Sequence, residues 1–140
     1  MKGTVTLDHT YAAALEQTGA RIFWALSSIY NYVVSGSDAS NAFAKASAPK
    51  AKLFVTIDEV FRQWYEEVEK KPPIPPNYVL PVNHALQGHP ESPRLWSNKI
   101  HSILTKLGYK NTTHEPCLYV KYVDNKSIFL ASGGRFSHFF

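Results

Sequence analysis

Two short stretches of this chain carry side chains that could do chemistry. In Asp38-Ala39-Ser40-Asn41-Ala42-Phe43 a carboxylate stands five residues before an aromatic ring. Mg²⁺ takes hard oxygen ligands, usually one or two carboxylates completed by phosphate oxygens and water. The same six residues also suit an aspartate that caps a turn and a phenylalanine that belongs to the core. In Leu86-Gln87-Gly88-His89-Pro90-Glu91-Ser92-Pro93 a Gln-Gly pair precedes Ser-Pro at a fixed spacing. Glycine lets a backbone approach a ligand closely, and a glutamine amide can bond a sugar or a base edge. The alternative is a plain helix start, with Ser92 as N-cap and Pro93 in the first turn. That accounts for Ser92 and Pro93 but leaves Gln87-Gly88 unexplained.

Other chemistries have less behind them. His114-x-x-Cys117 is half of a zinc spacing, and His84 and His89 are further imidazoles, but no second pair completes a tetrahedral set. No Gly-x-Ser-x-Gly occurs, and Cys117 lies in an apolar run unsuited to a nucleophile. As the sole cysteine it can form no intramolecular disulfide, which suits a reducing compartment.

The elements that must position these residues follow from periodicity. Leu15, Ile22, Phe23, Leu26, Ile29 and Tyr30 predict a helix over about 11–30, with Gly19 a weak point. Tyr32-Val33-Val34 predicts a short strand that leaves Asp38 at or just past its end. A second strand is expected at Leu53–Ile57. A helix capped by Asp58 follows to about Lys70, with a buried stripe of Val60, Phe61, Trp64, Tyr65 and Val68 and i,i+4 pairs Glu66-Lys70 and Glu67-Lys71. Pro72–Pro76 reads as a stiff extended connector. Tyr78–Val82 is a strand weakened by Pro81. The clearest helix starts at Ser92-Pro93 and stops at Gly108. Cys117–Val123 and Ser127–Ala131 complete a hairpin around Asp124-Asn125-Lys126. Mixed helices and short strands in this order predict an α+β domain: an antiparallel sheet with helices packed on one face.

The chain has 140 residues, enough for one domain with a real core, and 44% hydrophobic against 19% charged residues argues against disorder. Its net charge of +4 is a mild bias that permits a polyanionic partner without requiring one. No apolar run reaches the length of a membrane span, and the first residues lack an apolar signal core. The expectation is a cytoplasmic domain without a membrane or disulfide partner.

An ordered series of motifs extends the two stretches. It comprises Pro75-Pro76-Asn77-Tyr78-Val79-Leu80, Leu86-Gln87-Gly88, Ser92-Pro93-Arg94-Leu95-Trp96, Leu107-Gly108-Tyr109 and Glu115-Pro116-Cys117-Leu118-Tyr119. With the Asp38 stretch ahead of it, this series resembles the reverse transcriptase domain of Ty1/copia-type retrotransposons. The resemblance implies a lead-in from the fingers over 1–10, a partial palm over 11–130 and an unrelated tail over 131–140. It implies Asp38 as the catalytic, metal-binding aspartate. Asn41, Ala42, Phe43, Gln87 and Gly88 would lie against the incoming nucleotide, with Phe43 beneath its sugar, and Ser92, Pro93 and Arg94 near nucleic acid. Mg²⁺ is the implied cofactor, and an RNA or DNA template-primer and a deoxynucleoside triphosphate are the implied partners. Cytoplasm, virus-like particle or nucleus is the implied location.

One signature is missing. In this family an Asp-Asp pair follows the apolar strand after the Cys-Leu-Tyr hairpin. Here Ile128-Phe129-Leu130 is followed by Ala131-Ser132-Gly133-Gly134-Arg135, and no carboxylate occurs after Asp124. Tyr122-Val123-Asp124-Asn125 imitates the missing box but occupies the preceding hairpin turn. Two Mg²⁺ ions about 4 Å apart need converging carboxylates, so an inactive fragment with weak or absent Mg²⁺ binding is expected. The alternative is a non-catalytic palm remnant that binds nucleic acid, with Arg94, Lys99 and Lys106 as candidate phosphate contacts.

Overall fold

The computed structural model describes residues 12 and 14–132. Among them are three α-helices, α1 (Gln17–Ile29), α2 (Glu59–Glu67) and α3 (Ser92–Lys106), and five short strands. A 3-10 turn, Phe43–Lys45, follows the Asp38 stretch. Strands β1 (Phe54–Thr56) and β2 (Val79–Pro81) form one antiparallel pair, and β3 (Lys110–Asn111), β4 (Leu118–Val123) and β5 (Lys126–Ala131) form a second sheet in that order. The mixed, antiparallel expectation holds, as two small sheets rather than one.

Helix α1 begins at Gln17, and Tyr11 lies outside the described residues. Its start is fixed from a distance: the Glu115 carboxylate accepts from the Glu16 amide at 3.1 Å and from the Cys117 amide at 3.1 Å. Gly19, read from sequence as a weak point, makes room for that carboxylate. A Cβ there would lie 2.7 Å from Glu115 Oε2. The helix ends where Asn31 turns left-handed (φ 51°) and the Tyr32 amide donates to Ser27 O, a Schellman closure with asparagine in the usual glycine place.

The expected strand at Tyr32–Val34 does not form. Residues 32–39 are irregular and exposed, with Val33 99% accessible. β-Branched residues favour a strand only where a partner and a surface exist to pack on. The Tyr32 side chain reaches the sheet, bonding Ser127 Oγ at 2.8 Å and lying against Phe129 of β5.

Asp58 caps α2 as expected, its Oδ1 accepting from the Phe61 amide at 2.7 Å. The helix stops at Glu67, before Lys70, so the two proposed i,i+4 pairs fall off its end. Its apolar stripe is not buried: Phe61 and Tyr65 are half-covered, whereas Val60, Trp64 and Val68 are exposed. Helical periodicity names a face but not what covers it. The proline-rich connector is held by Arg62, whose guanidinium donates to the carbonyls of Ile74, Pro75 and Pro76. Pro81 is accommodated because the Val82 amide donates to Leu53 O, so the alternate Phe54–Pro81 pair needs no ladder bond from the proline.

Helix α3 ends as predicted. Gly108 adopts φ +86°, its amide donates to Thr105 O, and Tyr109 donates to Leu104 O. The β4–β5 hairpin closes on Asp124 and Asn125, both with positive φ, as a two-residue type I′ turn requires. Burial is sparse. The central cluster joins Ala46, Ala85 and Leu95, with Phe43 and Trp96 packed against it.

Candidate functional site

The Gln-Gly stretch is a double turn locked from behind. Leu86 O accepts from the His89 amide at 3.2 Å and from Ser92 Oγ at 2.5 Å, and the Ser92 amide donates to His89 O at 3.0 Å. Ser92 is therefore not the N-cap expected from sequence. Glu91 holds that position, and Ser92, 0% exposed, is the first helical residue with its hydroxyl turned back to the preceding turn. A buried hydroxyl needs a partner, and Ser92 finds it in the carbonyl six residues earlier.

This lock presents Gln87 and Gly88 to solvent at the apex. Gly88 has φ +86°, and a Cβ there would meet nothing within 4 Å. Its glycine is thus demanded by backbone conformation and leaves open space above the turn. Beside it, buried Glu91 accepts from the Lys50 amide at 3.3 Å, and its own amide donates to His89 Nδ1 at 3.3 Å. Pro93 is exposed and Arg94 half-buried.

The Asp38 stretch is looser. Asp38 is exposed on the irregular segment after α1 rather than at a strand end, and it forms no hydrogen bond or ion pair with another described residue. Asn41 is exposed with φ 51°, while Ala42 and Phe43 are half-buried. Phe43 is the anchor, packed on Ala46, Ala85 and Leu95. His84 Nδ1 stands 3.0 Å from Ala46 O, and Ser47 bridges His84 in antiparallel register. The two motif-bearing segments thus share one core, joined through Phe43, Ala46, Ala85 and Leu95. Among the described residues no three His, Cys, Asp or Glu side chains converge.

Several residues have structural leverage that the sequence did not assign. Glu91 and Glu115 lie inside the motifs named above but had no expected role there, and Arg62 lies in none; each acts on partners elsewhere along the chain. Their roles depend on contacts that only the folded chain creates.

Cys117 is buried, and its thiol is pushed up to about 11 by that burial, then by the neighbouring Glu115 carboxylate, against a smaller opposing bond from Ser132. Burial likewise raises the Tyr119 phenol, with Cys117 adding to it. The thiol is therefore protonated at neutral pH and no nucleophile. At pH 8 iodoacetamide should modify Cys117 in the folded chain about a hundredfold more slowly than in urea, in proportion to the thiolate lost. Equal rates in the two states would contradict this burial. The folded state holds the proton more tightly than the unfolded one, whose thiol has the ordinary value of 9.0. This contribution to stability is full below pH 9 and fades between pH 9 and about 11.

No protein-family model matches this chain, and neither does any curated protein or solved structure. Among the described residues no helix is long and apolar enough to cross a membrane.

Proposed function

We propose that this chain is a partial palm of the reverse transcriptase type found in Ty1/copia-type retrotransposons, and that these 140 residues do not polymerise. One observation carries the reading. The aspartate–phenylalanine stretch and the Gln-Gly turn, far apart in sequence, are seated on the same small core through Phe43 and Leu95. A template-copying site needs that arrangement, because its metal-binding carboxylate and its nucleotide-supporting turn must face a common cleft.

Asp38 would hold Mg²⁺, and Phe43, Asn41 and Ala42 would line the sugar side of the nucleotide. The exposed Gln87 amide and the open space over Gly88 would receive its base pair. Ser92 would act from behind by fixing the turn, and Pro93 and Arg94 would lie toward nucleic acid. Metal-assisted charge stabilisation supplies several kcal/mol of such a barrier, and each 1.36 kcal/mol is tenfold in rate. One exposed carboxylate is too little negative charge to hold two divalent ions together.

Two measurements test the reading. A nitroxide on Asp38→Cys, in a Cys117→Ser background, should broaden the amide resonances of Gln87 and Gly88. If they stay sharp, the shared cleft and the palm are both wrong. A primer-extension assay with Mg²⁺ or Mn²⁺ should yield no product, and synthesis abolished by Asp38→Ala would overturn the inactive half of the proposal. Salt-dependent affinity for an RNA–DNA hybrid would favour the second reading, a palm remnant that binds nucleic acid without copying it.

A further inference from the structure

We propose that the groove between the 3-10 turn and α3 binds a phosphate ester of nucleotide size. The groove measures about 430 Å³, the size of a small-molecule site. Lys45 of the 3-10 turn and Lys99 of α3 both line it, together with Asn83, His84 and Asn98, and no carboxylate does. Ala46 and Leu95, both members of the central core, belong to its lining. Two lysines in one groove that no carboxylate lines give it a local positive potential. Ammonium-to-phosphate hydrogen bonds are among the stronger ones a protein makes.

The histidine is already oriented. Its Nδ1 lies 3.0 Å from Ala46 O, and a carbonyl only accepts, so Nδ1 carries the proton. Nε2 is then the ring nitrogen left for a ligand. The two asparagine amides offer donors and acceptors of the kind that sugar hydroxyls and ester oxygens pair with. A phosphate with an organic group attached uses both the charged walls and the apolar lining, whereas a bare anion uses only the walls.

This inference goes beyond the polymerase site, since Asp38, Asn41, Ala42, Phe43, Gln87, Gly88, Ser92, Pro93 and Arg94 all lie outside the groove lining; it shares Lys99 with the second, nucleic-acid-binding reading. The ligand could be a free nucleotide or one unit of a polynucleotide, since both present the same ester.

The test is a titration of the ¹⁵N-labelled 140-residue chain at low salt with inorganic phosphate, AMP and a short oligothymidylate. Amide shifts should cluster at Lys45, Ala46, Ser47, His84, Asn98 and Lys99, with AMP tighter than inorganic phosphate. The double variant Lys45→Gln/Lys99→Gln should weaken AMP about tenfold. Lys110→Gln/Lys126→Gln removes the same charge elsewhere and should change affinity less than about twofold. Asp38→Ala should leave AMP binding intact, which separates this result from any failure of the palm. Oligothymidylate binding tighter than AMP at the same amides assigns a polynucleotide, and the reverse order assigns a free nucleotide. Shifts scattered over all basic residues, with equal losses in both double variants, would overturn the proposal.

Discussion

Leu95→Ala should destabilise the chain by about 2–4 kcal/mol and lower its melting temperature by roughly 10 °C. Leu95 is the largest aliphatic side chain in the central cluster, and its buried neighbours there are two alanines, Ala46 and Ala85. Alanine neighbours cannot reach into the space that a lost isobutyl group leaves. The hole would stay open rather than collapse, and cavity size governs the cost at fixed chemistry. Phe43 and Trp96, which pack on the same cluster, should loosen with it, so tryptophan emission should shift to the red. Leu95→Met preserves volume and should cost less than about 1.5 kcal/mol. A drop below about 2 °C for Leu95→Ala would mean that the two motif-bearing segments are not seated together as described.

Gly88→Val should cost about 2 kcal/mol, and Gly88→Asn well under half of that. The position has φ +86° and open space where a side chain would project, so no clash contributes and the whole effect is backbone strain. An L-residue in the left-handed region loses roughly 1–2 kcal/mol, most for β-branched side chains and least for asparagine. Chemical denaturation of the three proteins measures the difference directly. Equal losses for valine and asparagine would show that something other than conformation sets this residue. If a ligand does pack over the turn, Gly88→Asn should keep stability yet lose binding, and that separation distinguishes a conformational glycine from one kept for access.

Local chemistry was the part of this fold most legible in the residues. Asp58 caps α2, Gly108 ends α3, and the hairpin turns where expected, though on Asp124-Asn125 alone, with Lys126 already in β5; each rests on bonds within a few residues of itself. Pro81 was read as a weakened strand residue, and it does sit in a strand, at a register position that spares its missing amide. What failed depended on partners. The Tyr32–Val34 strand found no ladder, and the stripe on α2 found only partial cover, at Phe61 and Tyr65. Ser92 satisfied its hydroxyl six residues back instead of capping its own helix. In the candidate site the turn at Gln87-Gly88 was foreseeable from its glycine. Its bracing by Ser92 and Glu91 was not, since buried polar groups choose partners that no spacing rule specifies.

The excursion from Phe54 to Pro81 is fastened twice, by the β1–β2 pairing at its base and by Arg62 gripping the Ile74, Pro75 and Pro76 carbonyls farther out. Lys70 sits between α2 and that grip, exposed and already in a left-handed bend. Lengthening the polypeptide just after it stretches a bight that both fastenings enclose and neither touches, and the entropy of a longer loop grows only slowly with its length. The Glu69 and Lys71 amides close α2 on Trp64 O and Tyr65 O, so the place to graft a reporter peptide is just beyond them, at residues 72–73.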